Sequence, residues 1–367
     1  MFNFNNHKLT LGKYTAPIPI VQGGMGVGIS MSRLASAVAN EGGVGVLSAA
    51  GIAMLRKPAE RNRERAVQEG ISEEIADARA KMTADENGGL LGINIMNVMT
   101  DFAQMVKTSA EAGIDVIFSG AGLPLDLPKF SPSDIALVPI VSSAKAAKMI
   151  SRWWEQKYAR VPDAFVLEGP LAGGHLGFSE EQISDPAFKL EALIPQLRSA
   201  LDALEQKAGR AIPLIAGGGI FSGADIHDIL SRGVAAVQMA TRFVATEECD
   251  ASPAFKQAYV NCQKEDIVII KSPVGLPGRA IKNDFLQRAQ DNQTCPKSCP
   301  WHCISSCTVE NAPYCISAAL LSACKGKLEQ GFAFIGANGY RIEGITTVHR
   351  LIETLHKEFT AAAKTGV

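Results

Sequence analysis

This sequence has neither an excess of charge of one sign nor a long apolar segment. The 36 Lys and Arg residues nearly balance the 37 Asp and Glu residues, for a formal net charge of −1, so the chain lacks the overall positive field that draws proteins to nucleic acids. No uninterrupted apolar run of about 18 residues occurs, although a transmembrane helix would need one. Residues 1–10 lack the apolar core of a secretory signal. We therefore expect a cytoplasmic protein that binds neither nucleic acid nor membranes.

Aromatic residues are also few, at 6 % of the chain, but 47 % of its 367 residues are hydrophobic, enough to bury one large core or two smaller ones. From residue 17 to about residue 245, short apolar runs alternate with helical patterns, which indicates strands buried on both faces of a parallel sheet. Eight such units predict an α/β fold, a (β/α)8 TIM barrel; an open doubly wound sheet is the alternative. The predicted strands are residues 17–21, 44–47, 91–95, 115–118, 136–141, 164–167, 213–216 and 235–239.

Two segments interrupt this rhythm. Residues 56–81 carry a dense run of mixed charges, which is typical of a solvated helical face; a lid over the barrel mouth is the alternative. The chain after residue 250 has no strand–helix rhythm and holds all but one of the cysteines. We therefore divide the chain into a barrel, residues 1–250 with a helical excursion at about residues 52–89, and a C-terminal extension, residues 251–367, packed on the barrel.

Cysteine is not scarce, but it is unevenly placed. Five of the eight cysteines fall within a short stretch, at Cys295, Cys299, Cys303, Cys307 and Cys315. Cysteines four residues apart project to one side of a helical turn, so the first three can converge on one centre that either of the last two would complete. Thiolates select zinc, copper(I) or iron–sulfur clusters, and zinc sites usually use closer pairs. The spacing favours a four-iron cluster; zinc, and thiols without a metal, are the alternatives.

Glycine-rich segments follow several predicted strands, at the end of a barrel where active sites form. The first strand is followed by Gly23, Gly24 and Met25, and glycines let a flat ligand approach the backbone because no Cβ intervenes. The glycines do not follow the G-x-G-x-x-G order of a dinucleotide-binding fold. The third strand ends at Asn94, whose amide can both donate and accept hydrogen bonds. We interpret these residues as one wall of a ligand site, with a loop-capping role for Asn94 as the alternative.

The loops after the seventh and eighth predicted strands carry the strongest cofactor signal. Gly217, Gly218 and Gly219 precede a predicted helix, and Thr241 follows the last strand. In TIM barrels these late loops recur as a phosphate site, because backbone N–H groups and a helix N-terminus face the anion. Two such loops together predict a phosphate-bearing cofactor.

His175 lies in a glycine-rich loop after the sixth predicted strand. The flanking glycines free the backbone to approach a cofactor, while the imidazole can face a substrate. Histidine changes its charge near neutral pH, which suits a catalytic base. We therefore predict that His175 is the base, with a purely structural loop histidine as the alternative.

Together these segments resemble the nitronate monooxygenase / 2-nitropropane dioxygenase superfamily of FMN-dependent TIM barrels, which also contains flavin-type enoyl-acyl carrier protein reductases. The matching segments, in the family's order, are residues 23–26, 92–94, 168–177, 216–220 and 238–243. Residues 161–165, 270–281 and 336–341 are similar to the branch of decanoyl-acyl carrier protein dehydrogenase/isomerases, whose members carry FMN and a four-iron cluster. Residues 56–81 have no match, and Ala240 stands where members often have glycine.

The resemblance implies a role for each matching residue. His175 would be the base, and the flavin ring would face Gly23, Gly24 and Met25. Asn94 would bind the pyrimidine edge of the flavin, with Lys145 and Glu168 near the cofactor. The residues implied around the ribityl phosphate are Gly174, Gly218, Gly219, Gln238 and Thr241. The cluster pattern C-x3-C-x3-C-x11-C would take Cys295, Cys299, Cys303 and Cys315 as ligands, leaving Cys307 as an extra thiol.

The activity implied by this branch belongs to unsaturated fatty acid synthesis. The enzyme would dehydrogenate a medium-chain acyl-acyl carrier protein to the trans-2-enoyl form and isomerise that product to cis-3, with the extension binding substrate and cluster. A nitronate monooxygenase, or an NAD(P)H-dependent enoyl or quinone reductase, is the alternative. The expected partner is the acyl carrier protein that holds the thioester; a homodimer is also compatible with the sequence.

Overall fold

The computed structural model describes residues 4, 7–83, 88–132, 134–299 and 301–365. A hairpin of β1 (Leu9–Leu11) and β2 (Tyr14–Ala16) precedes eight parallel strands that close into a barrel. The barrel strands are β3 (Ile20–Gln22), β4 (Val44–Ser48), β5 (Leu90–Asn94), β6 (Val116–Ser119), β7 (Ala136–Val141), β8 (Phe165–Glu168), β10 (Leu214–Gly217) and β11 (Ala236–Met239). Each predicted strand overlaps an observed one, and β11 pairs back with β3. The predicted TIM barrel is confirmed, and the open-sheet alternative is wrong because the sheet closes on itself.

Side chains along each barrel strand alternate between two apolar layers. Val138, Val166 and Ile215 belong to a buried cluster that also takes in the N-terminal hairpin. Leu137 and Leu167, their neighbours in sequence, belong to a larger cluster shared with the surrounding helices. The first cluster therefore fills the barrel and the second lies between strands and helices. Burial on both faces explains why the strands read as continuous apolar runs.

Helices surround the barrel. Those that follow its strands are α1 (Ser32–Asn40), α2 (Ile52–Arg56), α3 (Arg63–Lys81), α4 (Phe102–Glu111), α5 (Leu127–Phe130), α6 (Ala144–Tyr158), α7 (Glu180–Ser184), α8 (Leu190–Ala208), α9 (Gly223–Ser231) and α10 (Thr241–Val244). No described helix combines the length and the apolar character that crossing a bilayer requires.

The mixed-charge segment forms α3, which connects β4 to β5. One side of α3 is buried through Val67, Ile71 and Ile75 and packs against α1 and α4. Its charged side pairs with the residues just before it, for example through the ion pair of Lys57 with Glu73. The segment is therefore an outer crossover helix of the barrel and not a lid. Residues 84–87 of the predicted excursion lie outside the described residues.

The C-terminal extension contains α11 (Pro253–Val260), α12 (Asp284–Gln290), α13 (Ile316–Cys324) and α14 (Val348–Thr365). Its strands β12 (Ile267–Lys271) and β13 (Pro277–Ile281) form an antiparallel sheet with the short strand β9 (Gly174–His175), which belongs to the loop after β8. The last helix, α14, packs against α9 and α1. The extension thus adds a strand pair above the barrel mouth and returns to complete the outer helical layer.

Candidate active site

A cavity of about 470 Å³ opens at the carboxyl ends of the barrel strands, where a TIM barrel places its chemistry. Residues at the ends of most of the strands form one side of it. The extension forms the other side and contributes mainly apolar side chains. The barrel residues include Gly24, Ser48, Asn94, Glu168 and Gln238, and the extension residues include Val274, Leu276, Ile304, Ile316, Leu320 and Phe334. The cavity therefore exists only where the barrel and the extension meet.

Gly23, Gly24 and Met25 form the turn that leaves β3, and all three line the cavity. A Cβ on Gly24 would lie 2.4 Å from the Cβ of Asn94, so only glycine fits beside that side chain. The fully buried amide of Gln22 holds the turn, since it accepts a hydrogen bond from a β4 N–H at 3.0 Å and donates to the Gly23 carbonyl. The structure therefore brings the predicted ring-facing residues together. The role of Gln22 was not predicted, although a polar residue at the end of an apolar strand is a signal for it.

A second cavity, of about 70 Å³, adjoins the first at the ends of β10 and β11. Gly218 and Gly219 line it with φ angles of +100° and +88°, a backbone conformation that favours glycine, and α9 begins shortly after them. Thr241 accepts a hydrogen bond from the Gly336 N–H at 3.0 Å, and the Asn338 amide donates to the Gly219 carbonyl at 2.5 Å. The extension thus closes the cradle that the two predicted phosphate loops begin.

Two guanidinium groups lie beside this cradle. Arg242 and Arg341 lie over the ring of Phe221, at 4.8 Å and 4.5 Å from its centroid, and Phe221 lines the smaller cavity. Burial is the main cause that lowers the pKa of Arg242, but a guanidinium remains charged at neutral pH. Positive side chains next to glycine N–H groups and a helix N-terminus suit an anion such as a phosphate ester.

Glu168 ends β8, Gln238 lies in β11, and both line the two cavities. Burial raises the pKa of Glu168 to about 7, because a low-dielectric site disfavours the carboxylate. The side chain can therefore donate a hydrogen bond near neutral pH when it is protonated. Ala240 also lines both cavities, so the fold accommodates a methyl group at the position where the family often has glycine.

His175 lies in β9, which pairs with β13 through Gly278. Its Nε2 is 2.7 Å from the hydroxyl oxygen of Ser272, and its ring packs edge-on against Phe334 at a centroid distance of 5.0 Å. Burial lowers the pKa of His175 to about 4, so the imidazole is neutral near pH 7. A neutral imidazole at the wall of a largely apolar cavity can accept a proton. Ser272 lies far away in sequence, and no local pattern pointed to it.

Arg279 holds the loop that leads to His175. Its guanidinium is buried and donates to the carbonyl groups of Pro170 and Ala172, at 2.6 Å and 2.5 Å. Burial lowers its pKa to about 10, which still leaves it charged near neutral pH. The contact fixes the β8–β9 loop onto β13. Sequence reasoning gave Arg279 no role.

Two of the predicted cofactor residues occupy less central places. Gly174 lies beside His175 in β9 with φ of +79° and lines the larger cavity, and its neighbour Gly173 lines both cavities. Lys145 is exposed in the first turn of α6. Its neighbour Ala146 lines the cavity, which places the Lys145 side chain at the outside of the cavity rim.

The cysteine-rich segment lies between α12 and α13. The Cys299 sulfur accepts a hydrogen bond from the His302 N–H at 3.3 Å, and the Cys303 sulfur lies 3.0 Å from the Ser317 hydroxyl. The pKa values of Cys303 and Cys307 are raised by burial first and then by the nearby Cys299 and Cys315. Those four thiols therefore lie near one another. Cys295 is exposed, with its sulfur 3.4 Å from the Asn292 carbonyl oxygen.

Within the residues that the structure describes, no three Cys, His, Asp or Glu side chains form a group that could hold a metal ion. Pro300, which lies between Cys299 and Cys303, is outside the described residues. The predicted four-iron cluster therefore remains a prediction.

Comparison with known proteins shows which family the chain resembles. A family model described as nitronate monooxygenase matches residues 8–358. A (3aS,4S,5R,7aS)-5-hydroxy-7a-methyl-1-oxo-octahydro-1H-indene-4-carboxyl-CoA dehydrogenase of Mycobacterium tuberculosis is 28 % identical over 273 residues, which cover 74 % of this chain and 65 % of that protein. The chain thus spans just under two thirds of that relative. A probable nitronate monooxygenase of Bacillus subtilis is 26 % identical over 308 residues, covering 77 % of this chain and 81 % of that protein.

Solved structures with the same fold include FabK from Thermotoga maritima, with a TM-score of 0.71 and 26 % identity over 95 % of this chain and 94 % of that one. The nitroalkane oxidase from Streptomyces ansochromogenes also has a TM-score of 0.71, at 22 % identity over 96 % of this chain and 98 % of that one. At that lower identity the likeness concerns the fold alone.

Proposed function

Because the chain belongs to the nitronate monooxygenase family of FMN-dependent oxidoreductases, we propose that it acts on a medium-chain acyl thioester. In this proposal it dehydrogenates a decanoyl-type acyl-acyl carrier protein to the trans-2-enoyl form and isomerises that product to cis-3. The reaction belongs to unsaturated fatty acid synthesis. The observation that carries the proposal is a half-buried His175, hydrogen-bonded to Ser272, at the wall of a cavity whose far side is apolar.

The apolar side of the cavity favours an acyl substrate over a nitronate. Val274, Leu276, Ile304, Ile316 and Leu320 come from the extension and face the cavity that His175 lines. A nitronate is small and charged, so it gains little from such a wall, whereas each buried methylene of an acyl chain contributes about 0.8 kcal/mol. The relative named as a carboxyl-CoA dehydrogenase adds support, because its name describes dehydrogenation of a thioester.

The residues present fit FMN. Gly23 and Gly24 pack closely against Gln238 and Asn94 and line the larger cavity without side chains, which suits a flat ring lying on the backbone. The cradle of Gly218, Gly219 and Thr241 adjoins that room and has Arg242 beside it, as a phosphate requires. When bound, FMN supplies the hydride acceptor for the substrate Cβ–H.

The remaining chemistry belongs to the chain itself. His175 is unprotonated at neutral pH and takes the Cα proton of the thioester, while the apolar wall excludes water and holds the acyl chain. Ser272 fixes the orientation of the imidazole through its hydrogen bond to Nε2. Once His175 has released the Cα proton to solvent it can act in the second reaction, in which it removes a proton from C4 and returns that proton to C2, so that the double bond moves from position 2 to position 3. One base thus serves both steps.

A four-iron cluster is the second part of the proposal. The donor set fits it, since thiolates are the usual ligands of iron–sulfur clusters. Cys299, Cys303 and Cys315 are ligands in the predicted pattern and also lie near one another in the structure. Cys295 is the predicted fourth ligand, and Cys307 is its competitor because it lies near Cys299 and Cys315.

Substitution of the two competing thiols tests the ligand set. We expect the wild-type protein to contain about four irons per chain. Cys295→Ser should lose iron and stability together, because cluster binding is coupled to folding, while the matched variant Cys307→Ser should keep both. If Cys295→Ser keeps its iron and Cys307→Ser loses it, the fourth ligand is Cys307 and not Cys295. One zinc per chain, without visible absorption beyond that of flavin, would show that the protein binds zinc and not an iron–sulfur cluster.

Nitronate oxidation is the second candidate function. The family description and the Bacillus subtilis relative carry that name, and the same neutral base could serve a nitronate. The purified protein should be mixed anaerobically with a decanoyl thioester, with a nitronate and with NAD(P)H in separate runs, while the flavin absorbance is followed. We expect bleaching by the thioester. If the nitronate or NAD(P)H bleaches the flavin and the thioester does not, the protein is a nitronate monooxygenase or an NAD(P)H-dependent reductase and not an acyl-thioester dehydrogenase.

A further inference from the structure

The outer face of α6 combines positive charge with exposed apolar side chains. Its exposed residues recur at helical spacing along the whole helix, and we call them the α6 face: Lys145, Lys148, Met149, Arg152, Trp153, Gln156 and Lys157. Met149 and Trp153 are 44 % and 41 % exposed, so two of the large apolar side chains that face solvent lie together on one helix. Exposed apolar groups surrounded by charges of one sign are typical of a protein-binding surface.

The charges of the α6 face are largely available to a partner. In the described part of the chain, no carboxylate forms an ion pair with Lys148 or Arg152, whereas Lys157 pairs with Asp126 of the preceding loop at 3.0 Å. Glu155, on the flank of the helix, pairs with Lys207. The part of the face nearest the N-terminus of α6 is therefore cationic and uncompensated.

This part of the face adjoins the cavity mouth. Ser143 and Ala146, at the start of α6, line the cavity. Leu123, which also lines the cavity, is 36 % exposed, and its loop is tied to α6 by the indole N–H of Trp154, which donates to the Pro124 carbonyl at 3.0 Å. Trp153 lies about 12 Å farther along the helix than Lys145, at roughly 1.5 Å per residue. The α6 face thus runs outward from the cavity rim.

We propose that the α6 face is the docking surface for an acidic carrier protein that holds the acyl thioester on a flexible arm. The proposal rests on the proposed function, because it names where that substrate's carrier would bind. Lys148 and Arg152 would pair with carboxylates on the partner, Met149 and Trp153 would pack against its apolar residues, and the arm would enter past Leu123.

The charge and the length of the α6 face favour an acidic carrier protein over the other possible partners. A second copy of the chain docked through the same face would bring two cationic patches together, because a two-fold interface uses the same surface of both copies, and like charges repel. A soluble coenzyme thioester could reach the rim but not also cover Trp153, which lies well down the helix. A folded acidic partner satisfies both the charges and the exposed apolar side chains.

The test uses the full chain with its cofactor and decanoyl-acyl carrier protein as the probe. The double variant Lys148→Glu/Arg152→Glu reverses the free charges, and Trp153→Ala removes the apolar anchor. The matched control is Lys357→Glu/Lys364→Glu on α14, which changes the net charge equally on exposed residues of a helix that packs against α9 and α1. Lys145 is left unchanged because the family resemblance implies that it lies near the cofactor.

Binding and turnover are measured separately. We expect the α6 double variant to weaken binding of the carrier protein by at least about tenfold, and high salt to weaken binding to the wild type, because steering by opposite charge is screened. The same variant should keep kcat/KM for decanoyl-pantetheine, which has the arm and no carrier. The α14 control should leave both unchanged.

Several outcomes would overturn the docking surface. One is that wild type and the α6 variant bind the carrier protein equally, and another is that the α14 control loses as much carrier binding as the α6 variant. A third is that the α6 variant alone converts a dimer to a monomer. Binding to anionic vesicles but not to the carrier would mean a lipid partner. If neither thioester is oxidised but the carrier still binds through the α6 face, the proposed function fails and the docking surface stands.

Discussion

Gly24 is a residue of the site that leaves no room for a side chain. The space beside it is filled by Asn94 on the next but one barrel strand, and the cavity lies in front of both. This residue was found from its sequence context because consecutive glycines after an apolar strand are a local signal. Its strict size limit comes from the closed barrel, which no local pattern contains.

A side chain at Gly24 should therefore remove the cofactor. Gly24→Ala places a Cβ 2.4 Å from that of Asn94. Overpacking of this kind typically lowers the free energy of unfolding by about 1–3 kcal/mol. We expect a lower melting temperature and a protein that purifies without flavin. Gly344→Ala is the matched control, since nothing lies within 4 Å of an added Cβ there. Flavin content equal to that of the wild type in Gly24→Ala would show that the turn does not face the ring.

The depressed pKa of His175 predicts an unusual pH profile. Because burial lowers this pKa to about 4, the base is lost only when the pH falls toward 4, and not near the ordinary histidine value of about 6.5. The kcat/KM for decanoyl thioester should therefore show no decline between pH 8 and pH 6 that arises from His175. Glu168, with a pKa of about 7, can itself cause a limb in that range.

The profile of Glu168→Gln separates the two groups, because glutamine does not titrate. A limb near pH 7 that disappears in this variant belongs to Glu168 and is consistent with a neutral His175. A limb near pH 6.5 that persists in Glu168→Gln would mean that His175 titrates normally, which contradicts the buried and neutral base.

At the scale of elements, the small sheet of β9, β12 and β13 makes the barrel mouth into a site. The strands come from the loop after β8 and from the extension, so His175, Ser272 and Arg279 meet only in the folded chain. The barrel strands could be predicted because apolar runs are local. The partners of His175 could not, because they are distant in sequence and their contacts depend on how the extension folds back.

Removal of the Arg279 guanidinium should disturb the site without touching the cavity. Arg279→Met leaves the carbonyls of Pro170 and Ala172 without their buried donor, and such a loss costs about 1–3 kcal/mol. We expect a lower melting temperature and a lower kcat, since the loop also positions His175. Lys271→Met, at an exposed site on β12, is the control. A variant of Arg279 with wild-type melting temperature and kcat would show that the loop holds its position without this contact.

At the scale of the whole molecule, the extension supplies the apolar wall, part of the phosphate cradle and the outer helix α14. The division at residue 250 followed from the loss of the strand–helix rhythm. Sequence patterns did not indicate that α14 returns to the barrel, because its apolar side fits any buried helix. The cysteine spacing suggested a metal site, but spacing alone does not place the sulfurs, and loop conformation decides how near they lie.

One base, His175, is proposed to serve two reactions in one cavity. The direct measurement is anaerobic mixing of wild type and His175→Ala with decanoyl-acyl carrier protein, followed by flavin absorbance and by the position of the product double bond. Wild type should bleach the flavin and yield trans-2 and cis-3 decenoyl products. His175→Ala should retain FMN and lose both reactions by roughly 10²–10⁴-fold, the usual contribution of a placed base. Wild-type rates of both reactions in His175→Ala would contradict the claim.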